Sequence, residues 1–336
     1  MLGEYAREPV KIVVHPLFAP AYASFFVEGI DRVWGRGAIS YSRRDFPDLD
    51  PASRLLVMTL HASGRTLRLC IAPDDMAGMD DAALEWCDTY AKVNVDWAQV
   101  PRDREKVVPV GPTFGVRAWS AWESAADWCR IHLAAPMQRA PVGGRGFRAQ
   151  LRDRLPEPEY SPKPSVDDYV FFMAWPWKNH AEVNPPRAEF VRQCRAAPGV
   201  EFEGGFAPRK RNDMPELDGL FAERRYPLSE YLEKTRRSAL VFNTPAVHNC
   251  LGWKLGEFLA LGKAIVSLPL TREMPAPLED GTHLHLVDGS PASLANAIGR
   301  ITEDAVYRRC LEQNARAYYD EWMRPDRLMR RLAAGL

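Results

Sequence analysis

The chain has no C-x-x-C pair, no long unbroken apolar run and no net charge, and each absence removes a class of function. Its six cysteines, Cys70, Cys87, Cys129, Cys194, Cys250 and Cys310, are widely spread. That spacing suits neither a disulfide framework nor a zinc site, so free thiols in a reducing compartment are expected. The 44 basic and 44 acidic residues cancel. A dedicated nucleic-acid binder normally carries a basic excess, so that class is set aside, while a local basic patch for phosphate stays open. Without a signal-peptide core or a membrane-length apolar segment, a cytoplasmic protein is expected. The tail 324–336 alternates Arg327, Arg330 and Arg331 with Leu328, Met329 and Leu332. It reads as a terminal helix docked on the body, with peripheral attachment at the inner face of a membrane as the alternative.

What is present suits two domains. A chain of 336 residues with 46% hydrophobic side chains can bury two ordinary cores. In the first half, strand-like runs at 10–14, 55–60, 67–71, 92–95 and 107–110 alternate with helical patterns at 21–34 and 81–90. In the second half, strands are predicted at 169–173, 200–203, 239–242, 264–267 and 283–287. Helices are predicted there at 187–197, 228–237, 253–261, 291–302 and 305–322. This alternation implies an α/β fold of two Rossmann-like domains facing a central cleft. The predicted layout is an N-terminal acceptor domain over 1–150, a linker over 151–166, a C-terminal donor domain over 167–312, and a last helical segment, 313–336, crossing back to the first domain. The stretch Gly143-Gly144-Arg145-Gly146 follows no convincing strand and lacks phosphate-loop spacing, so it reads as part of the connection.

The most informative segment is 243–269, which reads strand end, loop, helix, tight turn, strand. On a helical wheel Leu255, Phe258 and Leu259 share the face expected to meet the sheet. Trp253 and Glu257 are one turn apart on another face, with Lys254 beside them. The helix N-terminus can bind a diphosphate. Spacing alone leaves Glu257 equally a surface acid favoured by the helix dipole and a ligand for ribose hydroxyls.

This segment resembles the donor-binding region of GT-B-fold glycosyltransferases, and is most similar to bacterial enzymes that assemble surface polysaccharides. Their pattern is an acid, seven residues, a second acid, then small residues and Gly-Lys before a strand. Glu257 matches the second acid, and Leu259-Ala260-Leu261-Gly262-Lys263 the following turn. The first acid falls at Asn249, a departure from the pattern. The resemblance implies a nucleotide-sugar donor touched by Asn243, His248, Asn249, Trp253, Lys254 and Glu257, with His248 or Asn249 contacting the donor sugar. It further implies that Lys178 binds the donor phosphates, that Gly205 and Phe206 lie by the base with Phe206 stacking on it, and that Arg209, with Lys210 and Arg211, helps neutralise phosphate. A metal ion and other cofactors are not expected, because such enzymes handle the diphosphate with cations and helix dipoles.

Glycosyl transfer also needs a base for the acceptor hydroxyl. His15 after the first strand, and Asp74 and Asp75 after the third, are the candidates. The two aspartates read equally as a helix cap. Trp119, Trp122 and Trp128 are candidates for a sugar platform or for core. The expected acceptor is a glycan or lipid-linked saccharide. The rival readings are a nucleotide-sugar epimerase on the same fold and a non-catalytic nucleotide-sugar-binding scaffold.

Overall fold

The computed structural model describes residues 10–47, 49, 55–100, 102–135, 144–210 and 213–336. They form a mixed α/β architecture in two compact units, Met1–Glu157 with Trp322–Leu336, and Pro158–Glu321. Gly143 of the predicted connection and Arg211 of the predicted basic run lie outside the described residues.

The first unit opens with β1 (Lys11–Val14), α1 (Pro20–Trp34) and β2 (Ile39–Tyr41), with β1 and β2 parallel. β3 (Leu56–Ala62) and β4 (Arg65–Ala72) form a hairpin through Ser63-Gly64, both at positive φ. β3 inserts between β1 and β4 and runs against both. The sequence predicts a mostly parallel sheet, and β3 is the exception because a two-residue turn can join only antiparallel neighbours. After α2 (Asp81–Trp86) come β5 (Thr89–Lys92) and β6 (Val107–Pro109), giving the order β2-β1-β3-β4-β5-β6. α3 (Ala121–Ala134) starts at a capping box, with Ser120 and Glu123 satisfying each other's backbone amides. α4 (Gly144–Asp153) follows.

In the second unit, β7 (Tyr169–Ala174) and β8 (Glu201–Phe206) are parallel neighbours separated in sequence by α5 (Asn184–Ala196). α6 (Leu228–Arg237) leads to β9 (Val241–Asn243), α7 (Trp253–Ala260), β10 (Ile265–Ser267) and β11 (His285–Leu286), with the three strands parallel in the order β11-β10-β9. β9 enters beside β7, where Ala239 N–H donates to Tyr169 O at 2.7 Å. Beyond β8, Phe206 N–H donates to Leu220 O at 2.9 Å and Phe206 O accepts from Ala222 N–H at 2.8 Å, so Phe206 bridges Phe221 in parallel. Counting 220–222 as the third strand, the spatial order is third, second, first, fourth, fifth, sixth. That is the doubly wound order, whose reversal point lies between β7 and β9. One sheet face packs Val170, Phe172, Phe242 and Val266 against α5 and α8 (Pro291–Glu303). Strand side chains alternate, so Phe171, Val241 and Met173 face α6 and α7 instead. α9 (Ala305–Tyr318) closes the unit through Leu311.

The chain returns to the first unit as α10 (Pro325–Leu332), which buries Leu328, Met329 and Leu332 and exposes Arg327 and Arg330. Docking accounts for the alternation of the tail, whose apolar face is committed to packing. No helix among the described residues is long and apolar enough to cross a membrane. α10 approaches α1 so closely that a Cβ at Gly29 would stand 2.3 Å from Pro325 O. Gly29→Ala is therefore expected to loosen α10, lowering the first urea transition by about 1–3 kcal/mol and exposing 322–336 to early proteolysis. An unchanged transition with an equally protected tail would show that this contact does not hold the helix.

Candidate functional site

The reversal point between β7 and β9 opens at their carboxyl ends into a crevice of about 170 Å³. Trp175 and Trp177 line it after β7, Asn243 and Thr244 after β9, and Gly252, Trp253 and Lys254 at the start of α7, with Arg187 reaching in from α5. Each wall is held by a local bond. Asn184, buried at the head of α5, accepts from Trp177 N–H at 3.0 Å and donates back to Trp177 O at 2.8 Å. The side chain of Asn243 donates to Ser267 Oγ at 2.9 Å, tying β9 to β10. Gly252 enters α7 in an extended conformation and no side chain caps the helix, so its N-terminal dipole faces the crevice.

Two cations dominate this space. Arg187 donates from Nε to Thr244 Oγ1 at 3.0 Å. Lys254 reaches back across α7 to donate from Nζ to Met173 O, with its ammonium over the rings of Phe172 and Tyr231. Among the described residues neither cation has a carboxylate within salt-bridge distance. Burial pulls Lys254 down to about 8, the charge of Arg187 adds to that, and Glu257 opposes it. Burial likewise lowers Arg187 to about 10. Two like charges held together in a desolvated crevice destabilise each other, and a bound polyanion would relieve both.

Burial divides α7 as the helical wheel does. Leu255, Phe258 and Leu259 are buried, whereas Trp253, Lys254 and Glu257 are half-buried. Glu257 accepts from Tyr231 Oη at 3.5 Å. His248 and Asn249 sit in the preceding loop, both exposed and both at positive φ, 57° and 55°. A left-handed histidine costs about 1–3 kcal/mol, and the loop holds it there by bonds from Arg272 to His248 O and from Thr271 to Asn249 O. The His248 ring meets that of His180 edge-on at 5.0 Å, and neither His248 nor Asn249 lines the crevice.

Other expected contacts lie elsewhere. Phe206 is fully buried in the core beside Phe221, so it cannot stack on a base. The glycines before it serve the backbone. A Cβ on Gly205, at φ 136°, would stand 2.3 Å from Leu220 O, and Gly204 is pressed against Phe172 O in the same way. Lys178 is exposed and paired with Asp213 at 3.2 Å. Arg209 grips the same carboxylate through two 3.0 Å bonds, and these bonds, with Lys178, hold Asp213 below its ordinary range. The crevice cation that sequence reasoning missed is the half-buried Arg187. Its signal was a basic residue in the first turn of a helix, where the dipole disfavours it.

In the first unit, His15, Asp74 and Asp75 follow the carboxyl ends of β1 and β4. His15 is completely buried, with its ring edge-on to Phe46 and Nδ1 accepting from Leu17 N–H. Asp74 lies 3.6 Å from the buried ammonium of Lys92, and Asn94 donates to Asp74 O at 2.8 Å. Asp75 beside it is half-buried. Trp119 is core, donating to Asp127 at 2.9 Å, whereas Trp122 and Trp128 are exposed.

The crevice should bind a simple dianion in a pH-dependent way. Lys254 is protonated below about 8 and loses its charge above it. Affinity for sulfate, a dianion throughout this range, should fall between pH 7 and 9 with its steepest change near 8. Lys254→Met should flatten that profile while raising the melting temperature at pH 7, because a disfavoured charge is removed. Calorimetric titration and thermal melts across pH check both, and a profile unchanged by the substitution would contradict the assignment.

No family model and no curated protein sequence matches the chain. Solved structures do show likeness. TarM is 12% identical, with a TM-score of 0.45, over 77% of this chain and 47% of its own. HepE of Anabaena, in complex with UDP, is 15% identical with a TM-score of 0.46, over 76% of this chain and 66% of its own. The chain thus spans about half to two thirds of the length of these two structures. A UDP-N-acetylglucosamine 2-epimerase of Listeria monocytogenes is also similar, at 14% identity and a TM-score of 0.41, over 76% of this chain and 72% of its own.

Proposed function

We propose that this chain is a glycosyltransferase that binds the diphosphate of a nucleotide sugar in the crevice between β7 and β9. The observation that carries the reading is the pair Arg187 and Lys254, half-buried together in the crevice, with no carboxylate among the described residues at salt-bridge distance from either. A site of that charge, at the reversal point of a doubly wound sheet, fits a nucleoside diphosphate group. The resemblance of 249–263 to the donor region of GT-B enzymes extends the reading to surface-polysaccharide assembly in the cytoplasm, with a glycan or lipid-linked saccharide as acceptor.

In the reaction the bond from the sugar anomeric carbon to the diphosphate oxygen breaks, and its electron pair stays on the diphosphate. Arg187, Lys254 and the amides at the start of α7 stabilise that charge as it grows, which is the role of cations and oriented dipoles in a desolvated site. Glu257, one turn into α7, accepts from the ribose hydroxyls. The acceptor hydroxyl attacks the anomeric carbon and gives its proton to a base. Asp74 and Asp75 suit that role better than His15, because both are half-buried whereas His15 is enclosed. Without an acid at 249, the donor sugar would rely on neutral hydrogen-bonding groups. On the epimerase reading the same crevice would serve, with chemistry confined to the donor. On the scaffold reading the donor would bind and stay intact.

Incubation with a panel of UDP-, GDP- and TDP-sugars, with and without oligosaccharide acceptors, separates these readings. Transfer product that requires acceptor, with kcat/KM reduced about 100-fold or more in Arg187→Gln, is the expected result. Glu257→Gln should chiefly raise donor KM, by about tenfold, if it binds ribose. An epimeric donor formed without acceptor would replace transfer by epimerisation. Tight donor binding with no turnover would leave a scaffold.

A further inference from the structure

α3 is built inside out. Its buried positions are Ser124, Asp127 and Ile131, two of them polar. Asp127 accepts from Trp119 Nε1 at 2.9 Å and Tyr41 Oη at 3.1 Å, and Gln150 of α4 donates to Ser124 Oγ at 3.2 Å. Hydrogen bonds therefore fix the inner face, and the large apolar side chains point outward. Trp122 is 81% exposed, Leu133 89% and Trp128 39%. At 100° per residue these three, with Ala121 and Ala125, share an arc of about 140° that contains no acid. Glu123 and Asp127 lie off that arc and are occupied inside the unit. An apolar face this concentrated signals a partner, not a random surface leucine.

α4 runs alongside and supplies charge. Between the helices is a groove of about 540 Å³, walled by Trp128, Phe147 and Leu151 and rimmed by Arg145 and Arg148. Both arginines are exposed, and neither pairs with a carboxylate among the described residues. Tryptophan at the edge of an apolar face, with unpaired arginines beside it, matches the layering of a lipid surface, where rings sit at headgroup depth and guanidinium groups meet phosphate. A second copy packed on the same face would bring Arg145 and Arg148 against their own equivalents, which opposes self-association.

We propose that the α3–α4 face docks this protein on anionic lipid bilayers, with Trp122, Trp128 and Leu133 inserted at the headgroup boundary and Arg145 and Arg148 on lipid phosphates. The proposal stands apart from the transfer reading, since it uses no residue of the crevice and its test needs no turnover. The full chain is floated with vesicles of phosphatidylcholine alone and of phosphatidylcholine mixed with phosphatidylglycerol. Binding should require the anionic lipid. Each arginine near a charged surface contributes about a fivefold change in partition, so Arg145→Gln with Arg148→Gln should weaken binding roughly 30-fold. Trp122→Ser with Leu133→Ser should weaken it by on the order of tenfold or more, with melting temperature and circular dichroism retained because both positions are exposed. Failure to float with anionic vesicles, or equal binding by both double variants, overturns the proposal. So does a concentration-dependent dimer, seen by light scattering, that Trp122→Ser dissolves in a chain that ignores vesicles; the face would then join two copies.

Discussion

The second unit places two cations, Arg187 and Lys254, in one crevice where burial disfavours the charge of each. Both are half-buried and pushed below their usual ranges, and they donate to neutral acceptors, Thr244 Oγ1 and Met173 O. A fold selected for stability alone would replace either with an apolar side chain, since buried unpaired charge is among the more costly features a domain can carry. Other buried charges in this unit are compensated. Lys263, also held down to about 8 by burial, donates to Arg236 O and has Glu312 at 3.8 Å. Glu203 is buried enough to favour its neutral form, yet bonds from Lys234, Tyr169 and Tyr226 hold it ionised. Among the described residues no carboxylate stands at salt-bridge distance from the crevice cations, and an incoming diphosphate would supply a counter-charge.

The surrounding structure keeps that pair in place. The doubly wound order puts the ends of β7 and β9 side by side with no strand between them. Asn184 pins the loop after β7, and Asn243 with Ser267 pins the end of β9. Gly204 and Gly205 let β8 approach both Phe172 O and Leu220 O, which closes the sheet on its outer side. The left-handed pair His248 and Asn249 turns the chain from β9 into α7 so that an uncapped helix end faces the cations.

Much of this was legible from sequence because it rests on local periodicity. The central strands of the second half are short continuous apolar runs, as in a sheet covered on both faces, and its helices follow a period of 3.6. The division of α7 into an apolar face of Leu255, Phe258 and Leu259 and a polar face followed from the wheel alone. Features that depend on tertiary partners were not legible. β3 reads like any parallel strand, and only the Ser63-Gly64 turn marks its reversal. Gly205-Phe206 suits a ligand loop and a tight strand crossing equally, until the neighbouring 220–222 segment is in place. Lys178 and Arg187 are both basic residues in the segment that follows β7, and only folding separates the surface ion pair from the half-buried crevice cation. The three tryptophans weighed as sugar platform or core divide, with Trp119 in the core and Trp122 and Trp128 exposed on α3, a difference set by tertiary packing.

The central claim is that the Arg187–Lys254 crevice is built for a diphosphate, and proton uptake tests it most directly. The protein is titrated calorimetrically with UDP at pH 8, in buffers of different ionisation enthalpy. Near its own pKa of about 8, Lys254 is only partly charged, so closing a diphosphate on it should draw in roughly half a proton per ligand. Uptake should vanish in Lys254→Met, and uridine alone should produce none. Binding of UDP without proton uptake, or with equal uptake in Lys254→Met, would contradict the account.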